Sequence, residues 1–259
     1  MGSSTVPLFA AFALLVVAPH CVATASDPSP KDTLASFLTR RGLPFEEHSV
    51  TTDDGYILKT HRIPNPGAPA VYLQHGILAD TWCWISNSNE LGIGQSLHAA
   101  GYDVWMGNSR GNTYGKNHTT LDVKLDKAFW DFSFAEMARH DLPANIKYIV
   151  SATGQNELVY VGWSQANTAM LIAMQEPGLR DLLSKHVSLA VMLSPVSYMK
   201  HSRSLLLSAV SQFNLGAIIE AAFPHDRLLH HPRGSRTHHT TVDQALLFWS
   251  SALGIPRAA

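Results

Sequence analysis

Four short runs, Ala70–Gln74, Tyr102–Met106, Leu158–Val161 and Val187–Leu193, are largely apolar and recur between segments with helical spacing. This alternation constrains the chain more than any other feature. A strand that is apolar on both faces has to be covered on both, and strands separated by helices pair in parallel through crossovers. The expected class is therefore α/β, a mostly parallel sheet with helices on both faces. In such a sheet, reactive groups collect at the carboxyl ends of the strands.

The remaining elements follow from local signals. Leu34 to Arg41 reads as a short helix, and His48 to Pro64 alternates apolar and polar positions around a DDG turn, the mark of a β-hairpin. Asn65-Pro66-Gly67 is a loop. Leu91 to Ala100 reads as a helix stopped by Gly101, and Gln165 to Gln175 as another. Phe132 to Ala152 carries apolar residues near helical spacing, with Pro143 expected to kink or restart it. Beyond Val196 the pattern changes: Ser204 to Ala222 and Val242 to Leu253 read as helices around a His/Arg/Pro-rich loop, Pro224 to His239, and no strand is evident.

The first residues point to a compartment. Val6 to Ala18 (VPLFAAFALLVVA) is too short to span a bilayer and suits the core of a secretory signal, with Ala23-Thr24-Ala25 as the cleavage motif. Residues 1–25 are expected to be a signal peptide, 26–196 a core and 197–259 a helical region over it. No later segment resembles a membrane span. Cys83 is then alone in the mature chain, which leaves no intramolecular disulfide, and Asn117-His118-Thr119 is a glycosylation sequon. With 19 Lys+Arg against 20 Asp+Glu, the chain lacks the basic excess that a nucleic-acid partner requires.

The chemistry concentrates in Gly162-Trp163-Ser164-Gln165-Ala166, between the third strand and its helix. A sharp turn there lifts a serine hydroxyl above the sheet, provided the residues two positions to either side are small. Gly162 meets that demand, and Ala166 adds one methyl. The free amides at the helix start favour negative charge, so the Gln165 N–H can donate to an oxyanion. A second donor belongs in the loop after Gln74, His75-Gly76-Ile77-Leu78, with the Ile77 amide the best placed. The competing reading is that Ser164 only caps the helix, as serine often does.

The segments VTTDDGYIL, LQHGIL, GYDVWMGNSRGNTY, FWDFSFAEMARHDLPANI and YVGWSQANT occur here in order, from His48 to Pro195 with their flanks. This set resembles the acid lipase family of lysosomal and gastric lipases, within the α/β-hydrolases. The resemblance implies an α/β-hydrolase fold with the start of a helical cap after Val196. It implies hydrolysis of neutral lipid esters such as triacylglycerols or cholesteryl esters, in a secreted or lysosomal protein. It also implies Ser164 as nucleophile and Ile77 and Gln165 as oxyanion donors. Two positions depart from the family's G-H-S-Q-G: Trp163 replaces the His and Ala166 the second Gly.

A serine hydroxyl needs a base to take its proton and an acid to orient that base. After Ser164 the chain offers Asp181, Asp226, Asp243, His186, His201, His225, His230, His231, His238 and His239, none of them following an apolar strand. In the family the acid and base come after the cap, so the sequence reads as ending inside it, and this chain alone is expected to be nearly inactive and to fold poorly. The late histidines show no recognisable metal spacing, and no metal or cofactor is implied. Asn108, Arg110 and the His140-Asp141 pair read as structural. Two further possibilities are a non-catalytic lipid-binding relative and a hydrolase or acyl transferase acting on a non-lipid ester.

Overall fold

In the computed structural model, residues 32–77 and 79–197 are described. The signal peptide, the helices and loop placed between Ser204 and Leu253, and the late Asp and His candidates from His201 onward all lie outside them.

A seven-stranded sheet forms the centre, in the order β1-β2-β4-β3-β6-β7, with β5 paired to β2. The four apolar runs become β3 (Ala70–Gln74), β4 (Asp103–Gly107), β6 (Leu158–Trp163) and β7 (Val187–Leu193), all mutually parallel. The hairpin forms as expected, β1 (Glu46–Thr51) against β2 (Tyr56–Ile63), and it also joins the main sheet. Through His61↔Met106 and Ile63↔Val104, β2 runs antiparallel to β4. The sheet is thus mixed, with an antiparallel flank on a parallel core. β5 (Asn117–His118) adds a two-residue pairing to β2.

Alternation along β3 and β4 divides the core in two. Val71, Leu73, Val104 and Met106 face one way, against α1 (Leu34–Arg40), α2 (Trp82–Ile85) and α3 (Ile93–Ala99). Ala70, Tyr72 and Trp105 face the other way, against α5 (Leu142–Thr153), α6 (Gln165–Ala173) and α7 (Pro177–His186). Successive strand side chains point to opposite faces, so wholly buried strands require both layers. The first helix shows how sequence sets its position. Thr33 caps α1 through a reciprocal capping box with Ser36, and Leu34, Phe37 and Leu38 line its one buried stripe.

The segment expected to kink at Pro143 is continuous but locally unwound. A short α4 (Phe134–Glu136) passes into a π turn, Met137–Asp141, and then into α5. The Leu142 N–H donates to the Met137 carbonyl, one residue further back than in an α-helix. Proline lacks the N–H that would reach Arg139, and its ring clashes with that carbonyl. A widened turn accommodates both constraints without breaking the helix. A third cluster, built on Tyr56, Phe129, Phe132 and Ala138, packs this region against β2.

Candidate active site

Ser164 stands between β6 and α6, at the carboxyl end of a central strand. Its backbone is at φ 54°, ψ −114°. A serine in this region is held at a cost of ~1–3 kcal/mol, so the surroundings must over-determine it. The surrounding bonds do so. The Ser164 N–H donates to the Leu193 carbonyl at 3.0 Å, and the Asn167 N–H donates to the Ser164 carbonyl at 3.0 Å. The Asn167 side chain donates to the carbonyls of Gly162 (3.1 Å) and Leu193 (2.8 Å). Thr168 Oγ1 donates to the Val196 carbonyl at 2.6 Å, and the Tyr160 hydroxyl to the Ala166 carbonyl at 3.0 Å. The turn is thereby fastened to the end of β7 on one side and to its own strand on the other.

The competing role for Ser164 does not hold: its side chain makes no capping hydrogen bond to α6. The requirement for small neighbours is met in atomic terms. A Cβ on Gly162 would lie 2.3 Å from Asn167 Oδ1 and 2.7 Å from the Tyr160 hydroxyl. Ala166 fits with its methyl buried. Gln165 opens α6 and is buried, so its backbone N–H belongs to the first, unsatisfied turn of the helix.

The loop after β3 comes up against the same turn. A Cβ on Gly76 would meet Ser164 Cβ at 2.9 Å and the Trp163 carbonyl at 3.0 Å. Only glycine allows the two backbones to approach so closely, and Ile77 follows it directly. His75 fixes this loop. Its Nδ1 lies 2.7 Å from the Gly76 carbonyl, while its Nε2 faces the Ser109 N–H at 3.1 Å and Asn112 Nδ2 at 3.0 Å. A carbonyl only accepts and the other two only donate, so the proton resides on Nδ1. Burial holds the His75 imidazole neutral, its pKa lowered to about 4.

From His75 a buried polar network continues outward. Asn112 donates to Asn108, Asn108 donates to Thr81 at 2.8 Å, and Thr81 Oγ1 lies 2.7 Å from His61 Nδ1. Arg110, in the same loop, is a structural node, as expected. Its guanidinium pairs with Asp54 (2.6 Å) and Asp141 (2.7 Å) and lies over the Tyr56 ring. His140 pairs with Asp53 at 2.6 Å. Asp53, Asp54 and His140 come close together, but the Asp54 carboxylate is already matched by Arg110.

Candidate bases fare differently. His186 closes α7 at the amino end of β7 and donates from Nδ1 to the Asn156 carbonyl, with Asp181 earlier in the same helix. Ser164 is at the carboxyl end of the adjacent parallel strand, roughly 20 Å away along seven residues of β7. His75 is near, but both its nitrogens are committed. Among the described residues, no histidine hydrogen-bonds to Ser164. Trp163 is partly exposed beside the turn, and Asn117 is exposed on β5.

Sequence reasoning did not anticipate Asn167 or Asn112 as supports. An asparagine in the interior of a helix has poor propensity, which is a signal that its side chain has other work. No helix among the described residues is long and apolar enough to cross a membrane.

Comparison with known proteins agrees with this geometry. The model of the alpha/beta hydrolase fold matches residues 69–223, and that of the partial alpha/beta-hydrolase lipase region matches residues 34–88. The chain is 42% identical over 194 residues to lipase member M of Mus musculus, covering 71% of this chain and 45% of the relative. It is 43% identical over 182 residues to the lysosomal acid lipase/cholesteryl ester hydrolase of Homo sapiens, covering 67% and 45%. To the protein of that name from Rattus norvegicus it is 44% identical, covering 71% and 47%. The chain therefore spans about half the length of the curated relatives it matches. The chain belongs to the acid lipase family of the α/β-hydrolases.

Proposed function

We propose that this chain carries the nucleophile and oxyanion half of a serine-dependent lipid ester hydrolase acting on neutral lipids, triacylglycerols or cholesteryl esters. The observation that carries this reading is Ser164 itself. It holds a left-handed backbone at the carboxyl end of β6, its hydroxyl caps nothing, and the Gly76 loop is in van der Waals reach. In this reading Ser164 Oγ attacks the ester carbonyl. The Ile77 and Gln165 amides stabilise the oxyanion that develops, and the dipole of α6 adds to them. The general base and its acid partner come from outside the described residues. The relatives named lysosomal acid lipase/cholesteryl ester hydrolase support a neutral lipid ester substrate and a secretory or lysosomal location. The apolar run before Ala23-Thr24-Ala25 supports residues 1–25 as signal peptide, and residues 197–259 are read as the start of a helical cap.

A fluorophosphonate probe tests the core of the proposal, because it reacts only with an activated serine hydroxyl. In a form of the protein that carries the general base and its acid partner, labelling that is lost in Ser164→Ala is the expected result. Labelling that persists in that variant rejects Ser164 as nucleophile. A second reading has its own support, since no described histidine reaches Ser164: a catalytically silent lipid-binding relative. It predicts no labelling together with saturable binding of a cholesteryl ester. The exposed Asn117 is proposed as a glycan acceptor, and loss of a glycosidase-sensitive mass in Asn117→Gln after secretory expression tests it.

A further inference from the structure

Behind the serine turn, on the side of the sheet covered by α5 and α6, lies a recess of about 20 Å³. Gln74, Ser109, Met137, Asp141, Gln165 and Ala169 contribute to its walls, and Ser164 does not. A space of this size holds about one water molecule, and water occupies such a space only where it finds two to four polar partners. The walls supply them. Gln165 is 3% exposed, and its Nε2 is buried with no hydrogen-bond partner among the described residues. Asp141 accepts from the Arg110 backbone N–H at 3.0 Å and from its Nε at 2.8 Å and guanidinium at 2.7 Å. A carboxylate has roughly four acceptor sites, which leaves one of them unused. Ser109 Oγ accepts from Gln74 Nε2 at 3.0 Å, which leaves its own hydroxyl proton free to be donated.

We propose that this recess is a binding site for a single structural water, accepting from Gln165 Nε2 and donating to the Asp141 carboxylate. The water ties the first residue of α6 to the π turn, and so braces the turn that presents Ser164. An unmatched N–H at this depth would cost about as much as a lost hydrogen bond, which the water offsets. The π turn ends at the recess: Asp141, its last residue, is part of the wall. The site stands whether or not Ser164 is a nucleophile, because none of its walls takes part in chemistry through a side chain.

A crystal structure of the full chain tests the site directly. A density peak within hydrogen-bonding distance of Gln165 Nε2, enclosed by Asp141 and Ser109, is expected. An empty recess, or Gln165 Nε2 paired with a protein group, overturns the proposal. A double-mutant cycle gives an independent answer in solution. Ala169→Val fills the recess with methyl groups and expels the water, so the melting temperature is expected to fall by about 3 °C. In a Gln165→Leu background the N–H is gone, and the same Ala169→Val change is expected to be neutral or stabilising. Equal effects in the two backgrounds mean a dry recess and reject the water.

Discussion

Ser164 sits in a backbone conformation that glycine adopts far more readily than serine, φ 54° with ψ −114°. The strain lowers stability, and such strain is what the proposed nucleophile position requires. Ser164→Gly should therefore relieve it, with a net gain of ~1 kcal/mol after glycine's larger unfolded-state entropy is deducted. Thermal unfolding of that variant is expected about 2–4 °C above the parent, while Ser164→Ala shows no such gain. The opposite sign is expected at Gly162, where a Cβ would meet Asn167 Oδ1 at 2.3 Å. Gly162→Ala should cost roughly 1–3 kcal/mol as overpacking, read as a shifted urea midpoint. Two buried imidazoles add a dependence on pH. Burial lowers both His61 and His75 to about 4, with the nearby Glu47 carboxylate partly opposing the effect at His61. His61 Nε2 lies 3.4 Å from that carboxylate, out of line for a hydrogen bond. Between pH 6.5 and about 4 the unfolded chain binds these protons and the folded chain does not, so stability falls as pH falls through this window. Each group contributes up to roughly 3 kcal/mol, all of it present above pH 6.5. Urea melts at pH 7, 5.5 and 4.5 should show this decline, and His75→Gln should flatten it by one group's share.

At the scale of elements, the Arg110 node joins three segments that are far apart in sequence: the turn of the β1–β2 hairpin through Asp54, the loop after β4, and the π turn through Asp141. Both Arg110 and Asp141 are almost fully buried, whereas Asp54 is partly open to solvent. Removing the cation leaves an unpaired carboxylate in the interior, which typically costs ~3–5 kcal/mol, far more than an exposed pair is worth. Arg110→Met should thus lower stability by about that amount, while Asp54→Asn should cost a fraction of it, both measurable by chemical denaturation. The node also shows what was legible in the sequence. The strand-turn-helix around Ser164 could be read directly, because its demands are local: an apolar run, a small residue, a serine, a helix start. Arg110 could be placed as structural from its glycine-flanked loop, but its partners could not, since Asp54 and Asp141 are 56 and 31 residues away. The antiparallel join of β2 to β4 was hidden for the same reason. α7 carried a signal that was overlooked: in PGLRDLLSKH, Leu179, Leu182 and Leu183 fall at helical spacing and pack on the α5–α6 side of the sheet.

On the scale of the whole molecule, protection is uneven across the sheet. β3 and β4 are buried at every position, and β6 at four of its six. β7 differs: no residue in it is fully buried, and Leu189 is 55% exposed. It nevertheless holds the Ser164 turn through the Leu193 carbonyl, so the outermost described strand on that side buttresses the candidate site. A strand with one neighbour among the described residues and half-open faces unfolds locally at a lower free energy than the centre. Amide exchange followed by mass spectrometry should therefore show the slowest exchange in β3, β4 and β6, and measurably faster exchange in β7. Addition of any segment or partner that covers β7 should slow its exchange and, through Leu193, that of the Ser164 amide as well. If β7 exchanges as slowly as β3 in the chain alone, its outer edge is already covered. Protection of Ser164 without β7 would break the inferred link between the two.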